Sequence, residues 1–137
     1  MNFHTSGYTT EPGPFDWNFP DQAGLNISLA ETGDTVSLEY DYDEQIRVVA
    51  AKRMATLPPG THAVRIDADG GNAMEQRPMF LQVTCFAKDG TSKGNPRIPL
   101  GKQAKSFEIP SSGCAAQEIA LLVSHGSGNV QRLIITQ

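Results

Sequence analysis

The sequence predicts an all-β fold, a jelly-roll β-sandwich of about nine antiparallel strands. Three observations carry that expectation. Apolar and polar residues alternate with a period of two in run after run, as strands require when one face meets a core and the other meets water. The 13 glycines and 9 prolines recur between those runs, where turns belong. A chain of 137 residues with 39% apolar and 19% charged content is one ordinary domain, long enough to bury a real core.

Residues 1–14, polar and rich in Gly and Thr, form an edge segment, and 15–137 the sandwich itself. Pro14 to Phe19 alternates aromatic and polar residues, a short strand ended by Pro20-Asp21. Leu25, Ile27 and Leu29 make the next, with a turn at Glu31 to Asp34. Val36, Leu38, Tyr40 and Tyr42 follow, ended by the acidic Asp41 to Glu44. The run 46–54 admits a two-turn helix, but its β-branched residues and flanking strands favour a strand. Leu57-Pro58-Pro59-Gly60 is a sharp turn, since proline fixes φ and glycine permits positive φ.

His62, Val64, Ile66 and Ala68 resume the alternation, ended by Gly70-Gly71-Asn72. The run 79–88 places Leu81, Val83 and Cys85 on one side and Gln82, Thr84 and Lys88 on the other. A long polar connection, 89–102, precedes a short strand at 104–109 and the loop 110–114. Residues 117–124 form a second core strand, His125 to Asn129 a turn. In the final strand Val130, Arg132 and Ile134 alternate with Leu133 and Ile135.

Net charge is −4, pI is near 5.2, and no basic cluster exceeds Lys52-Arg53, which argues against a nucleic-acid partner. No apolar stretch approaches the ~20 residues of a membrane span. The N-terminus lacks a basic and an apolar signal region. Either the protein stays in the cytoplasm or it is a domain of a larger exported protein, periplasmic or secreted, with other domains of that parent as partners; the second is the preferred reading.

Four motifs carry a family resemblance: Pro-Phe-Asp-Trp (14–17), Leu-x-Tyr-x-Tyr-Asp (38–43), Leu-Pro-Pro-Gly-Thr-His (57–62), and Phe-Glu-Ile-Pro followed by Cys and Ala-Gln-x-Ile-x-Leu (107–121). In this order they resemble the jelly-roll carbohydrate-binding modules of the galactose-binding-like superfamily. More narrowly, the chain looks like modules found at the ends of bacterial tetratricopeptide-type proteins linked to exopolysaccharide. The resemblance implies non-catalytic binding of a polysaccharide. Many such modules hold a structural calcium through a Glu after Asn-x-x-Phe and an acidic pair in the last strand. Here Asn2-Phe3-His4 has no such Glu and 130–137 has no carboxylate, so no cofactor is expected.

Sugar recognition needs aromatic faces for the apolar side of a ring and amide, carboxylate or guanidinium groups for hydroxyls. With Val64, Ile66, Leu81 and Val83 inward, Arg65, Asp67, Gln82, Thr84 and Phe86 share the opposite, concave face, with Trp17 at its edge. These six are the expected ligand-binding residues; the competing readings are a core position for Trp17, packing of Phe86 under the 89–102 loop, and mutual neutralisation of Arg65 and Asp67.

Cys85 and Cys114 stand 29 positions apart. A bridge closing that loop contributes roughly 3 kcal/mol and is the preferred reading; the alternative is two small buried hydrophobes. No Cys-x-x-Cys accompanies them, so zinc is not expected. Asp67 to Asn72 resembles a calcium loop, but the position of an EF-hand's last glutamate falls on Pro78. Asp41, Asp43 and Glu44 read as a solvated strand end. Ser124 and His125 are adjacent and point apart on a strand, and no Gly-x-Ser-x-Gly elbow occurs, so no catalysis is expected. The alternative to sugar binding is a structural or protein-interaction domain within a larger assembly.

Overall fold

The structure, a computed structural model, describes residues 16–32, 35–67, 79–94 and 97–137. Among them are eleven strands: β1 (Leu25–Thr32), β2 (Thr35–Tyr42), β3 (Val48–Ala55), β4 (Gly60–Asp67), β5 (Met79–Phe86), β6 (Ser92–Gly94), β7 (Ile98–Leu100), β8 (Lys105–Ile109), β9 (Ala116–Val123), β10 (Gly126–Val130) and β11 (Arg132–Thr136). No helix occurs among the described residues, and every strand pairing is antiparallel. The fold is a β-sandwich. The sheets are β1-β2-β10, β11-β4-β8 and a five-stranded β3-β9-β5-β6 in which β7 also pairs with β5. The first two meet at Gln131, between β10 and β11, whose N–H donates to Asp67 O at 2.8 Å.

The core is what the period of two demands. Along β5, Met79, Leu81, Val83 and Cys85 are buried, while Phe80, Gln82, Thr84 and Phe86 are part-exposed. Val64 and Ile66 of β4 and Ile119, Leu121 and Val123 of β9 meet them in one cluster. Burying each such side chain stabilises the fold by about 1.5–3 kcal/mol. At the start of β4, Gly60 adopts φ 123°, a conformation that glycine alone takes readily, so the corner after Pro58-Pro59 turns as expected.

Several sequence expectations change. Around Trp17 the described residues hold only a single bridge, Asn18 to Lys52, instead of a strand. The polar connection 89–102 contains β6 and β7, each of three residues, too short to show an alternation. The stretch at Gly126 is strand β10, paired with β2. Val130 and Leu133 are both buried although three apart, and Arg132 is exposed. An unbroken strand cannot do that; the interruption at Gln131 shifts the parity. The acidic-loop residues beyond Asp67, the turn at Gly33-Asp34 and the segment Asn2 to His4 lie outside the described residues.

Candidate functional site

The candidate site is the outer face of the five-stranded sheet, where register fixes the rows. Gln82 pairs with Ala120, and Ala120 with Lys52. One row along, Phe80 lies opposite Leu122 and Pro99. In the other direction Thr84 lies between Glu118 and Gly94, and Phe86 between Ala116 and Ser92. Residues opposite one another in an antiparallel pair share a face, so these side chains all point away from the core.

Register sets them in rows, a trough in which Ala116 and Ala120 are the small side chains. The central strand β9 contributes Ala116, Glu118, Ala120 and Leu122, and the flanking β5 contributes Phe80, Gln82, Thr84 and Phe86. Ala120 and Leu122 stand on this outward face yet are only 5% exposed. Phe80 and Phe86 mark the ends, about 20 Å apart along the strand.

Polar groups are held in place within the trough. The Arg97 Nε–H donates to Gln82 Oε1 at 3.3 Å. The Arg47 guanidinium carbon stands 4.1 Å from the centre of the Phe80 ring, a cation–π contact. Beyond Phe86, whose carbonyl accepts the Ala115 N–H at 2.8 Å, a cleft of about 610 Å³ opens. Its walls come from Leu57 and Pro59, from Ala87 to Asp89, and from Ser111 to Ala115.

The structure brings together three of the six expected residues, Gln82, Thr84 and Phe86. Arg65 and Asp67 are elsewhere: β4 belongs to a different sheet from β5. Alternation reports which side of a strand faces inward, not which sheet the strand joins. Arg65 Nη1 lies 2.6 Å from Asp67 Oδ1, and Arg132 Nη2 lies 3.3 Å from Asp67 Oδ2, forming their own surface network.

Trp17 is also displaced from the expected platform. It is fully buried, with the Arg53 guanidinium carbon 5.7 Å from its ring centre, and has no face left for a sugar. Partial burial lowers the Arg53 pKa, an effect that nearby Asp16 opposes. Residues that the sequence reading passed over are Phe80, Arg47, Lys52 and Arg97. Phe80 had the parity of Gln82 and was detectable; Arg47 and Arg97 flank strands and carry no periodic signal.

Cys85 and Cys114 form a disulfide, which fastens the end of β5 to the loop before β9. No group of three or more His, Cys, Asp or Glu residues able to hold a metal occurs among the described residues.

The sequence matches no protein-family profile and no curated protein. Its fold, however, recurs in solved structures. A chain in the crystal structure of accessory secretory proteins 1, 2 and 3 of Streptococcus pneumoniae superposes with a TM-score of 0.60 at 11% identity, covering 99% of this chain and 93% of that one. The glycosylation-associated protein complex of Streptococcus agalactiae gives 0.58 at 10% identity, with 87% and 43% covered. The CBM22-1–GH10 modules of xylanase 10B from Clostridium thermocellum, complexed with xylohexaose, give 0.51 at 10% identity, with 94% and 27% covered. The chain therefore has the fold of carbohydrate-binding modules and of proteins in accessory secretory and glycosylation-associated assemblies.

Proposed function

We propose that the chain is a non-catalytic carbohydrate-binding module whose glycan lies along the outer face of the five-stranded sheet. The observation that carries this reading is the register of the outward face: Ala116, Glu118, Ala120 and Leu122 along β9, a phenylalanine at each end of the β5 row, and the Gln82 amide and Thr84 hydroxyl between. Rings stack on apolar faces and hydroxyls pair with fixed polar groups, so no bond needs to be made or broken. An extended trough of about 20 Å suits a short oligosaccharide better than a single ring. The Cys85–Cys114 disulfide and the likeness to an accessory secretory protein support an extracytoplasmic location, as part of a larger exported protein.

The test is a titration of ¹⁵N-labelled protein with a panel of oligosaccharides. Amide shifts should concentrate on residues 80–86 and 116–122. Binding should be lost in Gln82→Ala and Phe86→Ala, both of which leave the core untouched. Shifts confined to another surface would refute the proposed face.

A second reading, a structural or protein-interaction domain, draws on one observation: the two structures with the highest TM-scores quoted above hold several different proteins together. It is favoured if the glycan panel gives no shifts and the protein forms a persistent oligomer in solution.

A further inference from the structure

The outer face of the five-stranded sheet is basic on an acidic chain. The whole protein carries net charge −4. Yet Lys52 stands in the row of Ala120 and Gln82, Arg97 is bonded to Gln82, and Arg47 lies over Phe80. Against these three cations, register puts one described carboxylate on the face, that of Glu118 in the next row. The cations surround one half of the trough: Lys52 reaches in from β3, Arg97 from the β7 side, and Arg47 over the Phe80 end. None of the three forms a salt bridge with a described carboxylate. Arg97 uses one N–H on Gln82, and a guanidinium has five.

A neutral glycan laid over these groups would desolvate three charges and return no countercharge, which is costly. Carboxylates on the glycan would meet them with charge-assisted hydrogen bonds, bidentate at arginine. We infer that the trough selects a carboxylate-bearing glycan, with a uronate-type residue seated between Phe80 and Gln82 and the neutral part of the chain running toward Phe86. This rests on the carbohydrate-binding reading and adds the class of sugar. Glu118, one row beyond Gln82, sets the limit of the charged half by repelling a second acid there.

The test compares oligogalacturonate with a neutral xylo-oligosaccharide of equal length by calorimetry and amide shifts, at low and high salt. The uronate should bind about tenfold tighter at low salt and lose that advantage as salt rises. Lys52→Gln and Arg97→Gln should each remove much of the preference for the uronate over the neutral sugar. Glu118→Gln should strengthen uronate binding. Equal affinity for both sugars overturns this inference and leaves sugar binding standing. No binding of either sugar overturns both. Polyglutamate of matching charge is the remaining control: if it shifts residues 80–86 as strongly as the uronate does, the face is a general polyanion surface and the inference falls.

Discussion

The side-chain amide of Gln117 clamps the backbone at Leu57: its Oε1 accepts the Leu57 N–H at 2.7 Å, across 60 residues of sequence. The same amide donates to the carbonyls of Leu57 and Cys114 at 3.5 and 3.4 Å. Gln117 is fully buried, so these groups have no solvent to fall back on. Gln117→Leu preserves volume but strands them, and should cost about 2–3 kcal/mol in urea denaturation. An unchanged midpoint would show that the clamp contributes nothing.

The disulfide should be worth somewhat more. It closes a separation of 29 residues, for which the chain-entropy estimate is about 3–4 kcal/mol. Thiol titration of the denatured, unreduced protein should find no free thiol. Reduction should lower the denaturant midpoint by the corresponding amount. An equal midpoint with and without reductant would count against a stabilising role.

As the chain's single tryptophan, Trp17 is a direct reporter on the interior. Its emission should be blue-shifted, resistant to acrylamide quenching and unaltered by any added glycan. Trp17→Ala should cost about 3–5 kcal/mol through lost burial and the cavity left behind. A glycan-dependent quench would place the indole at the ligand after all.

What the sequence disclosed follows from what period two can encode. The β5 run was legible because Met79 to Cys85 separates water from core cleanly. Gln117 was detectable too, since it shares its phase with Ile119, Leu121 and Val123. Sheet membership left no such trace. Val64 and Leu81 read alike although β4 and β5 lie in different sheets, and the expected platform was split for that reason. Arg47 and Arg97 reach the face from strand ends, where alternation stops.

Asp89 should show an acid-shifted titration. The Thr91 hydroxyl and N–H both donate to its Oδ1, at 2.7 and 3.0 Å, and hold its carboxyl below the usual aspartate range, with the hydroxyl contributing most. A folded pKa below the unfolded one means that the contribution is present at neutral pH and fades as pH falls through the folded value. The Asp89 side-chain carbon and the Thr91 amide should titrate together, below the ordinary midpoint. Asp89→Asn should abolish the Thr91 response; its survival would assign the shift to another group.

The Arg65–Asp67–Arg132 network gives the sharpest test of which surface binds. Its side chains are 42%, 29% and 55% exposed, so solvent screens them and the network contributes at most about 1 kcal/mol. Asp67→Asn and Arg65→Ala should therefore change stability little. Both residues stand on β4, in a different sheet from Gln82. Glycan affinity should be unaffected in either variant and reduced in Gln82→Ala. If Asp67→Asn weakens binding as Gln82→Ala does, the ligand contacts both sheets. A trough confined to the face of β5 and β9 is then excluded.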